Sequence, residues 1–269
     1  EEVFNHVNTD NSWTVNTDKI IFSNEKTWKK YVDRRILEIT CGEAPYLVSR
    51  YDAATGTYIL PLNRRIGILD RKMRVVNENT QLKDDWIKWA ERAFQSCYGY
   101  EWQGDRLLIA RINLLLSFVD YYKERWGHNP DDCTLKKIAN IIAWNLWQMD
   151  GLENSIPFGK PYQSFRQVTL FESFDDIKKP NEDFAYPCKI YNWRRDNSLL
   201  FKDCVKRGKM NKKMFDFVIG NPPYQMETAE LNKDSTNKQT PKKNVFHLFQ
   251  IAADKITDNT LTFSEFIAL

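Results

Sequence analysis

One segment limits the fold of this chain more than any other: residues 215–224, Phe-Asp-Phe-Val-Ile-Gly-Asn-Pro-Pro-Tyr. Its apolar start predicts a buried strand over 215–219. No strand or helix continues through Pro222 and Pro223, because each lacks an N–H and has its φ fixed by the ring. A buried strand that stops at such a corner suits an open parallel sheet, where ligands sit beyond the carboxyl ends of the strands. The rest of the chain alternates in the same sense. "RILEIT" (35–40) and "CYGYE" (97–101) read as strands, and helical stretches lie between and after them. The expectation is an α/β fold, a mostly parallel sheet with helices on both faces.

The helical segments can be placed. Ser23 is positioned to cap a helix through "NEKTWKKYVDRR". "DDWIKWAERAFQS" puts Trp86, Trp89, Ala90 and Phe94 on one face. Asp105 is positioned to cap "RLLIARINLLLSFVDYYKERW", whose middle is apolar nearly all round and is expected to pack on more than one side. A helix from Asp131 leads to a short strand ending at Asp150, and "NVFHLFQIAADKI" is amphipathic. Residues 48–82 carry two turn-like stretches and read as irregular or hairpin-like; residues 225–243 read as a mobile loop. The expected organisation is an arm over 1–22 and a catalytic domain over 23–269 with an insertion at about 48–84. The chain does not begin with Met, and "TFSEFIAL" reads as a strand cut short, so a fragment of a longer polypeptide is expected.

Composition narrows the function. The five cysteines are scattered without a C-x-x-C, and the three histidines stand alone. That argues against zinc and a disulfide framework and for a reducing, cytoplasmic setting. No apolar run spans a bilayer, so no membrane partner is expected. A net charge of +3 is too small to point to nucleic acid by itself.

The chemistry lies in the corner. The Asn221 side-chain carbonyl and the Pro222 carbonyl can together accept both hydrogens of one exocyclic –NH2, and Tyr224 offers a flat face for a ring. A nitrogen conjugated to a ring is a poor nucleophile. Two acceptors on its hydrogens favour the more charged geometry of the transition state.

"FDFVIGNPPY" resembles motif IV of the N6-adenine DNA methyltransferases, with Asn221, Pro222, Pro223 and Tyr224 as its catalytic corner. The resemblance implies a Rossmann-like fold, incomplete at its C-terminus here, that uses S-adenosylmethionine. "LEITCGEAPYL" (37–47) resembles motif I. There Glu38 would face the donor's ammonium group, and the turn at Cys41 and Gly42 would let the backbone approach its methionine part. The family's usual second turn glycine is replaced by Ala44 or Pro45. "YGYEWQGDRLLIARINLLL" (98–116) resembles motif II, with Glu101 for the ribose hydroxyls and Trp102 for the adenine ring. "NLWQMDGL" (145–152) resembles motif III, with Asp150 for the adenine amino group and Asp196 as a rival. Donor motifs before the catalytic motif match the γ class.

The long spacing from motif I to motif II resembles enzymes that join methylation and restriction in one polypeptide. That implies double-stranded DNA as partner, and a nuclease or target-recognition domain in the full-length chain. Basic stretches such as "KRGKMNKK" and "NKQTPKK" are candidates for phosphate contacts. Methylation of a protein glutamine or of an RNA amino group stays open, as does a truncated, non-catalytic fragment. A protein glutamine presents the same –NH2 problem.

Overall fold

The computed structural model describes residues 20, 22, 24–52, 54–157, 187–208, 213–221, 225–227, 242–244, 246–257 and 260–262. Most of the expected arm, residues 158–186 and residues 228–241 of the expected loop lie outside them. Among the described residues one parallel sheet organises the chain. Its strands are β1 (Ile36–Ile39), β2 (Cys97–Glu101), β3 (Leu146–Gln148), β6 (Phe217–Gly220) and β9 (Thr260–Thr262), in the order β3-β2-β1-β6-β9. Each neighbouring pair is parallel, with Ile39 opposite Tyr100 on one side and opposite Gly220 on the other. The expected α/β architecture is therefore present.

Parallel strands need crossovers, and helices supply them. α1 (Glu25–Asp33) precedes β1; α2 (Ile68–Asn79) and α3 (Lys83–Gln95) join β1 to β2; α4 (Gly104–Trp126) and α5 (Asp132–Asn145) join β2 to β3. Before β6 come a hairpin, β4 (Lys189–Asn192) with β5 (Asn197–Leu200), and α6 (Phe201–Gly208). After it come the short antiparallel pair β7 (Gln225–Glu227) and β8 (Lys242–Asn244), then α7 (Phe246–Asp254).

Strand alternation splits the core in two. Ile36, Cys97, Leu146 and Ile219 face the cluster built on α1–α5, where Trp86, Phe94, Phe118 and Tyr122 are buried. Leu37, Ile39, Tyr98, Tyr100 and Val218 face the other cluster, with Phe201, Phe249 and Ile256. Both faces of the sheet are thus covered, which is why β1 and β2 are buried at every position.

Several local expectations are corrected. The cap of α1 is Asn24, whose Oδ1 accepts the Thr27 N–H at 3.1 Å; Ser23 lies outside the described residues. Asp105 sits inside the first turn of α4 rather than capping it, and the N-cap position is Gln103. Its charge there still complements the helix dipole. β3 ends at Gln148, two residues short of Asp150, which forms an isolated bridge with Ser155. The two ends of the expected 225–243 loop pair as β7 and β8.

The largest correction falls in 48–82. The hairpin reading holds around Tyr51 and Tyr58, which bridge antiparallel while the Asp52 and Ile59 N–H groups donate to the Thr57 and Arg50 carbonyls, whereas residues 68–79 form the core helix α2. Its period was hidden because Asp70, Arg71, Lys72 and Arg74 are charged and yet buried. Specific partners make this tolerable. Asp70 accepts from the Ser49 N–H at 2.7 Å and the Tyr121 hydroxyl at 3.0 Å. Lys72 donates to the Arg34 carbonyl and the Ser96 hydroxyl. α4 also departs from expectation: among the described residues it buries one face and leaves Leu108, Ile109, Ile112 and Leu116 exposed on the other.

Candidate active site

The chain leaves β1 for β2 on one side of the sheet, while β6 lies on the other side of β1. The switch point therefore falls between β1 and β6, where an open sheet leaves a crevice at its carboxyl edge. Thr40 follows β1 there and Asn221 follows β6. A cavity of about 430 Å³ opens at this edge, lined by Thr40, Glu101, Trp102, Asp150 and Asn221, with Phe249 of α7 as part of its wall. That volume lies within the roughly 300–1,000 Å³ of small-ligand pockets.

The turn after β1 is unusual. Thr40, Gly42 and Ala44 take φ values of 49°, 54° and 63°. Only glycine enters that left-handed region without steric cost. Ala44 thus adopts the backbone a glycine would take freely. Such strain needs support from the surroundings, and it has it. The Cys41 N–H donates to the Tyr100 carbonyl at 2.9 Å, and Asn113 of α4 donates to the Glu43 carbonyl at 3.2 Å.

Glu101 ends β2 and joins the two segments. Its Oε2 accepts the Gly42 N–H at 2.7 Å; its Oε1 accepts the Trp102 and Gln103 N–H groups at 2.9 and 3.0 Å. Those contacts fix the carboxylate at the cavity wall. The Gln148 side chain donates to the Trp102 carbonyl at 2.9 Å, bracing the same turn from β3. Asp150 uses Oδ1 alone to accept the Leu152 and Glu153 N–H groups at 2.9 and 3.1 Å. Its Oδ2 has no hydrogen-bond partner among the described residues. Asn221 is exposed, and its side chain has no such partner either.

Four expected site residues, Glu101, Trp102, Asp150 and Asn221, therefore meet at one cavity. Gly42 touches that group through Glu101, while Cys41 is buried and packs beside Gly99. Pro222, Pro223 and Tyr224 lie outside the described residues. Asp196, the rival to Asp150, sits in the β4–β5 turn and accepts from the Tyr191 hydroxyl. Thr40, Tyr100, Gln103, Arg106, Met149, Gly151 and Leu152 also line the cavity without having been singled out. Most of them flank a residue that was. Arg106 had no sequence signal, and the helical spacing of Phe249 read as core.

Glu38 is not a wall residue. It is 1% exposed and accepts the Leu47 N–H at 3.1 Å and, more weakly, the Tyr46 N–H at 3.4 Å. Burial pushes its carboxyl up to about 8, against the pull of those two N–H groups and with a smaller push from the charge of Glu101. The folded chain thus keeps a proton that the unfolded chain loses near 4.5. In that window the folded state binds more protons, so stability falls as pH rises from about 4.5 to about 8 and then levels. In Glu38→Gln this decline should shrink to the part left by Asp70, whose carboxyl burial raises to about 6: urea midpoints at pH 5 and pH 8 should agree more closely than in the parent. An equal decline in both proteins would rule out Glu38 as its source.

A family model described as Eco57I restriction-modification methylase matches residues 95–267, nearly two thirds of the chain. The match takes in Glu101, Trp102, Asp150 and residues 221–224, and starts after the Glu38–Gly42 turn. No curated protein and no solved structure matches the chain.

Proposed function

The chain belongs to the Eco57I restriction-modification methylase family, and from that premise we propose that it transfers a methyl group from S-adenosylmethionine to N6 of an adenine in double-stranded DNA. One observation carries this reading: Glu101, Trp102, Asp150 and Asn221, drawn from three separate stretches of sequence, meet at one cavity by the switch point of the sheet. Two carboxylates beside an aromatic face suit a nucleoside-bearing donor. Glu101, held by three backbone N–H groups, accepts from the ribose hydroxyls. Trp102 covers the adenine ring, and the Oδ2 of Asp150, without a partner among the described residues, accepts from the adenine amino group. Gly42 and Cys41 belong to the turn that the methionine part approaches. Glu38, under that turn, works by holding the Leu47 N–H. S-adenosylmethionine, when bound, supplies an electrophilic methyl group.

The catalytic work falls to the corner after β6. The Asn221 side-chain carbonyl and the Pro222 carbonyl accept the two hydrogens of the target amino group. They favour a pyramidal, more nucleophilic nitrogen and the positive charge that develops on it. Tyr224 stacks on the target base, which must be flipped out because its amino group lies inside the duplex stack. After transfer the nitrogen is acidic and loses a proton to water without a dedicated base. The order of the motifs supports the γ class.

The test is to incubate the chain with tritiated donor and, separately, duplex DNA, structured RNA and a translation release factor. Nucleoside analysis should find the label in DNA as N6-methyladenine. Label in RNA or protein alone, or on another base, would overturn the assignment. No transfer, together with no heat of donor binding in calorimetry, would mark a non-catalytic fragment.

A further inference from the structure

Helix α4 buries Leu107, Ala110, Leu114, Phe118, Tyr121 and Tyr122 on the side that faces the sheet and its neighbouring helices. On the opposite side Leu108 is 57% exposed, Ile109 40%, Ile112 45% and Leu116 42%. Those positions recur at three- and four-residue steps, so they form one stripe about two and a half turns long. Scattered exposed apolar residues need no explanation, but a continuous stripe on a helix marks an interaction surface.

The ends of the stripe identify the occupant. Asp105 and Lys123 are exposed and stand eighteen residues apart, five full turns, so they share an azimuth on the helix within the arc of the stripe. Neither has a hydrogen-bond or ion-pair partner among the described residues. A helix face with an acid at one end, a base at the other and apolar residues between complements its own image turned end for end. A two-fold axis at the level of Leu114 sets Asp105 of each copy opposite Lys123 of the other, and Ile112 opposite Leu116. Self-complementarity of one patch is the requirement for an isologous dimer.

We infer that the exposed stripe of α4 is a self-association surface that pairs antiparallel with the same stripe of a second copy of this chain. One helix face is small beside the roughly 800 Å² per partner of a standard interface. The dimer should therefore be weak, with a dissociation constant in the micromolar range.

Sedimentation equilibrium of the whole chain, from about 1 to about 200 μM, should show a concentration-dependent dimer. Ile112→Glu, which puts a charge at the centre, should raise the dissociation constant at least about a hundredfold while leaving the circular dichroism unchanged. Asp105→Lys or Lys123→Asp alone should weaken the dimer about tenfold, since each change breaks two pairs. The double variant with both changes should recover to within about threefold. A chain that stays monomeric throughout, or a dimer indifferent to Ile112→Glu, would overturn the proposal. Failure of the double variant to recover would overturn the antiparallel register. None of these outcomes depends on methyl transfer, so they stand apart from the proposed activity.

Discussion

Asn221→Ala is expected to lower methyl transfer by about a hundredfold to a thousandfold, the range for removing one preorganised partner of a charge that develops in the transition state. The residue is exposed at the end of β6, and its side chain has no hydrogen-bond partner among the described residues, so truncation breaks no hydrogen bond to them. Stability should then stay within about 0.5 kcal/mol of the parent. Donor affinity should hold within about threefold, since the contacts assigned to the donor come from other residues. Asn221→Asp keeps an acceptor and should retain more activity than the alanine variant. The measurement is single-turnover transfer of labelled methyl beside calorimetric donor binding. Activity within threefold of the parent would remove Asn221 from the mechanism, and parallel loss of transfer and donor binding would mark it as part of the donor site instead.

Gly220→Ala should have the largest effect on stability. A Cβ built at Gly220 would lie 2.4 Å from Ile39 Cγ1 and 2.6 Å from the Ile39 carbonyl oxygen. The first atom could turn away; the second is backbone, held in the ladder that pairs Ile39 with Gly220. Relief requires opening β1 from β6 at the edge where Thr40 and Asn221 line the cavity. Overpacking of this kind costs about 3 kcal/mol, which for a chain of this size lowers the melting temperature by about 6–12 °C. Gly104→Ala is the matched control: its Cβ would meet nothing closer than Gln148 Nε2 at 3.5 Å, an ordinary contact. A melting temperature for Gly220→Ala within two degrees of that control would show that the strands separate at little cost. The displaced corner should also lower transfer, so this variant loses fold and activity together, unlike Asn221→Ala.

The two predictions divide the work of adjacent residues. Gly220 lets two parallel backbones come close; in the proposed mechanism Asn221 uses the position so created. A similar division runs through the other side of the cavity. Glu38 supports the turn after β1 from beneath, whereas Glu101 stands at the wall and ties that turn to β2 through Gly42. An acid on the first strand and an acid at the end of the second are alike in sequence but different in surroundings. The first is fully enclosed and holds its proton up to about pH 8. The second is fixed by three N–H groups at the edge of a cavity.

What the sequence determined alone was local or strongly periodic. β2 was read to its residue limits at Cys97–Glu101, α5 to within one residue of its start at Asp132, and the parallel sheet from the alternation of elements. The corner at 221–224 announced itself because two prolines cannot continue a strand. Glu101 could be picked out because β2 ends on it; Asp150 lies two residues past the end of β3 and rested on the resemblance of its segment to a family motif. Only the tertiary structure decided the rest. α2 was illegible because its charged side chains are buried on partners such as Ser49, Arg34, Ser96 and Tyr121. The enclosure of Glu38 depends on the fold of residues 46–47 above it. The outer face of α4 looked like core because an apolar residue reads the same whether a neighbour covers it or not. Periodicity records what a chain needs to bury; which surfaces meet, and which are left open, follows from packing among residues far apart in sequence.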